Sequence, residues 1–283
     1  MIPSKGHQFL ELDYKSLEVM VAATYHKDPT MLKYLTDPKS DMHRDMAQQI
    51  FKIPKFKKKN KTHGIIRSAT KNGFVFPEFY GDYYKNCAIS LTSSKWLNLP
   101  QKGKWHKSQG IKFEDSYIAK HLIKKGVGSF EAFEKHLQRI ETDFWKNRFP
   151  VYANWKDEVW SKYQKNGYFT NHTGFIFTGV MNKKDVTNYP VQSSAFHILL
   201  WSFYYLNKAL KREGLKSRIV GQVHDSILID LKPKELDRVI KIAQCVMEND
   251  VRQHWKWINV PLKIEAEISK VDGSLAEMEE LFI

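Results

Sequence analysis

Cysteine is nearly absent from this chain of 283 residues: Cys87 and Cys245 stand far apart and in no metal-binding spacing. That speaks against a disulfide framework and fits a reducing compartment. Long apolar runs are missing as well. None approaches the roughly 20 residues of a membrane span, and the opening "MIPSKGHQFLELDY" has no apolar signal-peptide core. The expectation is a soluble, cytoplasmic protein with no membrane partner. No internal repeat is evident. Acidic residues are also in short supply, 31 against 45 Lys and Arg, which leaves a net charge of +14. Such an excess asks for a polyanionic partner, and with 13% aromatic residues available for stacking the leading candidate is nucleic acid. The hydrophobic share of 42% suffices for a sizeable core, or for two subdomains that share one.

What is present reads as strands and helices in alternation. "QFLELDY" (8–14) reads as a strand ending in a carboxylate, and "KSLEVMVAATYH" continues with helical spacing from Leu17 through Met20, Val21 and Tyr25. "DPKSDMHRDMAQQIFKI" predicts an amphipathic helix with Met42, Met46 and Ile50 on its apolar face, capped by Asp or Ser and stopped at Pro54. "KIPKFKKKNKT" (52–62) holds six lysines in eleven residues and predicts a solvated loop. A helix from His63 to about Asn72 follows, with its continuation bent or broken by Gly73 and Pro77. Residues 88–128 are polar, lysine-rich and glycine-punctuated, and are expected to be peripheral. From Phe130 to Gln164 the pattern is helical; "GYFTNHTGFIFTG" (167–179) alternates like a hairpin around Gly174. "QSSAFHILLWSFYYLNKALKRE" predicts a helix of about six turns, buried across the domain. "RIVGQVHDSILIDL" gives two short strands meeting at His224–Asp225, Lys234–His254 an amphipathic helix, and "VPLKIEAEIS" a last strand. The sum is an α+β fold, a few strands with helices on one face, interrupted by a helical excursion over about 41–180.

Two carboxylates carry the chemistry. Asp13 ends one apolar strand and Asp225 interrupts another. A buried carboxylate is costly unless it is paired or binds a cation. Two converging on one sheet would suit Mg²⁺, which takes one or two carboxylates plus waters and substrate phosphates, and two such ions can clamp an in-line phosphoryl transfer. Taken singly, each aspartate reads at least as well as a strand-end turn residue. "RSATK" sets Arg67 and Lys71 on one helical face, able to reach a triphosphate. The aromatics Phe76, Phe79, Tyr80 and Tyr84 follow, able to stack on a base or ribose. A lone Arg-x3-Lys pair is more often just a solvated face.

Together these residues resemble the family-A DNA polymerases. "DYKSLE" resembles motif A, which implies Asp13 on metal, with Tyr14 beside it, and Glu18 closing the pocket against a 2′-hydroxyl. "RSATKNGFVFPEFYG" resembles motif B, implying Arg67 and Lys71 on the triphosphate, Phe76 on the sugar or base, and Tyr80 with Gly81 near the templating base. "QVHDS" resembles motif C, implying Asp225 as the second metal ligand and His224 at the primer terminus. "DMHRDMAQQIF" and "NYPVQSSA" are similar to further family segments and imply His43 near the phosphates, and Asn188 and Gln192 near template or primer. The resemblance runs from about residue 2 to 272. It implies an antiparallel palm sheet in two parts, 1–40 and 181–283, a mostly helical fingers subdomain over 41–180, and two Mg²⁺ as cofactors. Lys57, Lys58 and Lys59 are either nucleic-acid contacts or a solvated loop.

The chain departs from the family pattern in four places. Motif B has four residues between Lys71 and Phe76 where the family has three, which leaves Phe74 and Phe76 both open as its aromatic; motif C ends in Ser226 where the family has Glu; and Met20 stands where motif A has Arg. The family's thumb and any proofreading domain precede motif A, and only twelve residues do so here. The expectation is the C-terminal portion of a split or truncated polymerase, with a protein partner supplying thumb and exonuclease functions. It would extend a DNA primer-template with dNTPs, in a host cytoplasm if phage-encoded. The alternatives are a single-subunit RNA polymerase, against which Glu18 speaks, and a non-catalytic nucleic-acid-binding remnant.

Overall fold

The computed structural model describes residues 1–57 and 59–283. They form two compact units, one from Met1–Lys27 together with Glu158–Ile283, the other from Asp28–Asp157. The first contains β1 (Gln8–Tyr14) and α1 (Leu17–His26). The second contains α2 (Pro29–Thr36), α3 (Met42–Ile50), α4 (Lys61–Thr70), α5 (Phe76–Phe79), α6 (Tyr84–Thr92), β2 (Lys112–Phe113), β3 (Ser116–Tyr117), α7 (Ile118–Lys124) and α8 (Phe130–Asp143). Helix α9 (Pro150–Asn166) leads back into the first unit, which continues with β4 (Tyr168–Thr170), β5 (Ile176–Thr178), α10 (Lys183–Arg212), β6 (Arg218–Val223) and β7 (Ser226–Leu231). Helices α11 (Leu236–Ala243) and α12 (Val251–His254) and strands β8 (Ile264–Ile268) and β9 (Glu279–Leu281) complete it. No helix of the described residues is long and apolar enough to cross a membrane.

The sheet unit is built on a five-stranded sheet in the order β6-β7-β1-β8-β9, every neighbouring pair antiparallel. Strand β1 lies at its centre because Leu10, Leu12 and Tyr14 alternate onto one face, where all three are buried. Tyr14 ties that face to the helices: its hydroxyl lies 2.7 Å from Ser202 Oγ on α10 and donates to the Met247 carbonyl at 2.8 Å. The opposite face carries Glu11 and Asp13, two residues apart on the same strand and only partly covered.

Helix α10 differs from its expected extent and setting. It starts at Lys183, where Asn182 and Asp185 form a reciprocal cap, and runs through Pro190. An interior proline costs about 3 kcal/mol. The buried face of Val186, Pro190, Val191, Ile198 and Leu199 outweighs that, at about 1.5–3 kcal/mol per large apolar side chain. Burial is one-sided, however: Phe196, Leu200 and Tyr204 are exposed. The hairpin of β4 and β5 forms as the alternation predicts, with Gly174 at φ +87 in its turn.

In the helical unit α3 begins at Asp41, whose side chain accepts from Arg44 N, and it buries Met42, Met46 and Ile50. Residues 88–128 prove not to be peripheral. Leu97, Leu99, Trp105, Phe113, Ile118 and Leu122 are all buried, and Trp105 packs on Phe133 with ring centroids 5.7 Å apart. Leu97, Leu99 and Trp105 lie outside regular elements, and Phe113, Ile118 and Leu122 in the short elements β2 and α7, so no period runs long enough for pattern reading to register.

The helix after α4 is not broken. Lys71–Val75 forms a π turn, and the chain passes directly into α5. A π turn holds one extra residue within a helix. Pro77 then falls in the first turn of α5, directly after the π turn. Gly73 is needed for another reason: a Cβ there would lie 2.8 Å from Leu91 Cδ2, a side chain buried in the core. Gly64, in α4, has nothing within 4 Å of that position. Gly73→Ala is therefore expected to lower stability by about 1–3 kcal/mol through overpacking, and Gly64→Ala to raise it by about 0.8–1 kcal/mol through helix propensity. Denaturant melts of the two variants should shift in opposite directions.

Candidate active site residues

Register decides what surrounds Asp13. It pairs with Ser226 of β7 on one side and Glu265 of β8 on the other, so all three share the partly covered face with Glu11. On a chain of net charge +14, this strip is acidic. Asp13 Oδ1 is shielded from solvent and has no hydrogen-bond partner among the described residues. Burial, then repulsion from Asp225, Glu11 and Glu265, pushes its carboxyl up to about 7. A nearby cation would favour the ionised form of Asp13 against this burial and repulsion.

Asp225 and His224 form the two-residue turn between β6 and β7, both exposed, with His224 at a left-handed φ of 51. A tight hairpin requires positive φ in its turn, and that is the local reason why the apolar alternation stops at this pair. Asp230, farther along β7, bears the same sequence signature of a carboxylate in an apolar strand. It is buried but satisfied: it accepts from Ser4 N at 3.2 Å and Ser4 Oγ at 2.6 Å, with His7 Nδ1 at 3.2 Å. Asp230 is structural, and only the presence or absence of partners separates it from Asp13.

Two carboxylates fit a hard divalent cation that keeps waters and binds substrate phosphates. Among the described residues, no group of three or more His, Cys, Asp or Glu side chains is arranged to hold a metal ion. Asp13 and Asp225 would leave most of a cation's coordination sphere to solvent or substrate. The Tyr14 side chain points to the opposite face and is engaged there. Only its main-chain carbonyl is left for a cation.

In the helical unit the residues expected at a triphosphate come together. Arg67 Nε donates to Asp41 Oδ2 at 2.8 Å, an ion pair from α4 to the cap of α3. Lys71 Nζ lies 5.1 Å from the centre of the Phe76 ring, a cation–π contact. His43 meets the same ring edge-on at 5.7 Å, and Phe76 meets Tyr80 at 6.4 Å. Phe74 is fully buried against Phe144. The π turn therefore leaves Phe76, with its part-exposed ring, as the aromatic beside Lys71. Burial and the neighbouring Arg67 and Lys71 push the His43 imidazole down to about 4, although Asp41 opposes them. His43 is neutral at pH 7, and its Nδ1 has no hydrogen-bond partner among the described residues.

The remaining candidates are more dispersed. Glu18 lies in the first turn of α1, partly covered; Asn188 and Gln192 lie on α10, the latter exposed. Gly81 follows α5 at φ +83. Lys57 and Lys59 are exposed, and Lys58 lies outside the described residues. Sequence reasoning passed over Asp41, which holds Arg67, and Glu11, which accepts from Ser226 Oγ at 2.5 Å. Glu11 did carry a signal: it is the one charged residue between Leu10 and Leu12 in an otherwise apolar run.

The profile of DNA polymerase family A matches residues 118–274. DNA polymerase I of Aquifex aeolicus (strain VF5) is 24% identical over 268 residues, 94% of this chain and 39% of that protein. DNA polymerase I of Lactococcus lactis subsp. lactis (strain IL1403) is 24% identical over 269 residues, 95% of this chain and 26% of that protein. The chain thus spans well under half the length of these relatives. The solved POL domain of Pol1 from M. smegmatis, in complex with DNA primer-template and dNTP, superposes with a TM-score of 0.65 over 96% of this chain and 41% of that one, at 18% identity. That likeness extends the agreement to the fold.

Proposed function

Because the chain belongs to DNA polymerase family A, we propose that it carries out template-directed DNA synthesis, adding dNTPs to a primer 3′ end with DNA as its partner. The observation that carries this reading is Asp13: a shielded, unpartnered carboxylate oxygen on an acidic strip, with Asp225 near enough to repel it. The sheet unit takes the part of the palm and the helical unit that of the fingers. Asp13 and Asp225 would hold divalent cations, two Mg²⁺ in the family's manner, which supply an activated 3′-oxygen and neutralise charge on the phosphate. The rest falls to this chain's own side chains.

Arg67 and Lys71 bind the triphosphate by charge-assisted hydrogen bonds, and Asp41 keeps the Arg67 guanidinium in place before the nucleotide arrives. Phe76 and Tyr80 offer a flat apolar surface to sugar or base. Glu18 excludes a 2′-hydroxyl. Tyr14 fixes the strand that bears Asp13, through Ser202 and Met247. His224, Gly81, Asn188, Gln192 and the lysines near residue 58 contact template or primer. A further polypeptide segment that grips the duplex, on another chain or otherwise, belongs to the same reading; the share of its relatives' length that this chain spans supports it.

Primer extension tests the reading. With primer-template and Mg²⁺ the protein is expected to incorporate dNTPs in preference to rNTPs, and Glu18→Ala to narrow that preference. Binding of DNA without extension, in the parent as in Asp225→Asn, would overturn it.

His43 gives a second readout. In the folded chain its pKa lies below the unfolded value of 6.5, so the unfolded chain binds more protons between about pH 4 and 6.5. The stability linked to His43 is therefore present above pH 6.5 and lost as pH falls through 4. A bound triphosphate offsets Arg67 and Lys71 and should raise the His43 pKa toward its ordinary value. NMR titration of the imidazole with and without a non-hydrolysable dNTP reads that shift; an unmoved titration would take His43 out of the triphosphate site.

A further inference from the structure

Motif C of the resembled family ends in a glutamate, and this chain has Ser226 there. Ser226 is buried, and its hydroxyl reaches across the β1–β7 pairing to Glu11 Oε1 at 2.5 Å, with the Val223 carbonyl at 2.9 Å. A hydroxyl has one hydrogen to give, and a carboxylate is a stronger acceptor than an amide carbonyl. Glu11 stands two residues before Asp13, on the same face of the same strand.

We propose that the Glu11–Ser226 pair replaces the missing motif-C carboxylate: the third negative charge of the cation site has moved to the neighbouring strand, and Ser226 holds it in position. This rests on the reading of Asp13 and Asp225 as cation ligands. Three carboxylates bear on Asp13, those of Asp225, Glu11 and Glu265. Glu265 is exposed and paired with Lys15 at 2.8 Å, so much of its charge is offset. Glu11 accepts from a neutral hydroxyl and keeps its full charge. The described residues contain no three-ligand metal cluster, so Glu11 acts on the cation through water and through its field, as Mg²⁺ and Mn²⁺ allow by keeping part of their hydration shell. Ser226 is a positioning residue, since it touches Glu11 and not the ion.

Mn²⁺ binding to the full chain, read by electron paramagnetic resonance without DNA or nucleotide, separates this from a plain strand-to-strand latch. Glu11→Gln keeps an acceptor for Ser226 and removes only the charge; it is expected to weaken Mn²⁺ binding about tenfold. Ser226→Ala leaves the charge but frees it, and a loss of about threefold is expected. The exchange Glu11→Ser with Ser226→Glu returns the carboxylate to motif C and should bring affinity back to within about threefold of the parent. Thermal melts of each variant report folding, and Glu11→Gln against the parent decides the matter even where the exchange variant does not fold. Parent-like Mn²⁺ affinity in Glu11→Gln would overturn the proposal. Asp225→Asn separates the two levels: if it loses Mn²⁺ while Glu11→Gln does not, the site stands and this inference falls, whereas parent-like binding in Asp225→Asn removes the cation site itself.

Discussion

Replacing Asp13 with asparagine is expected to reduce primer extension at least about 10³-fold, because a metal ligand supplies several kcal/mol of transition-state stabilisation and each 1.4 kcal/mol is tenfold in rate. The same change should make the cation-free protein more stable. Asp13 sits against Asp225, Glu11 and Glu265, and one of its oxygens is shielded without a partner. Asparagine keeps the shape and removes the repulsion. Discounted for solvent screening, the gain is about 1 kcal/mol, or about 2–4 °C in Tm for a chain of this size. Single-turnover extension and a melt in EDTA at pH 8 measure the two halves. A residue that served the fold alone would lose stability on substitution, as Asp230→Asn is expected to do when its contacts with Ser4 and His7 weaken. A less stable Asp13→Asn would therefore count against a functional assignment.

Lys71→Ala carries the second large expected effect, a fall of about 10²-fold in kcat/KM for dNTP with a smaller change in DNA affinity. A hydrogen bond between charged groups is worth up to about 3 kcal/mol, or two decades in rate. Lys71 is presented for this role by the π turn, which keeps its ammonium over the Phe76 ring across the extra residue. Lys71→Arg should recover part of the loss, since charge survives while the geometry changes. Steady-state kinetics with a single incorporated nucleotide gives the ratio. Equal kcat/KM for parent and Lys71→Ala would remove Lys71 from the triphosphate site.

The extra residue of motif B shows how far sequence reading reached. Counting residues located the departure, and Phe74 and Phe76 stood as equals. Packing separated them, because the π turn sends Phe74 into the core against Phe144 and leaves Phe76 part exposed. Pro77 reads in sequence as a bend or break, yet the π turn carries the helix up to it; Pro190 lies inside α10, two residues before the start that the apolar pattern suggests, and burial meets its local cost. Residues 88–128 read as peripheral in sequence because their apolar residues sit in irregular chain and in elements too short to leave a periodic trace. The order of strand and helix patterns, with the resemblance, sets subdivisions near residues 40 and 180, and the contacts divide the chain after Lys27 and after Asp157; where a compact unit ends depends on what each helix packs against.

The sequence by itself determined the α+β class, the strand ends that carry Asp13 and Asp225, and the helical face that carries Arg67 and Lys71. All three follow from period and spacing along the chain, which short-range geometry enforces. The tertiary structure alone decided which carboxylates lack partners. Asp13, Asp225 and Asp230 look alike as letters. Ser4 satisfies Asp230 from 226 residues away, and Ser226 reaches Glu11 from 215 away. A hydrogen bond requires proximity in space, and the antiparallel register of β1 and β7 creates that proximity where the chain order does not.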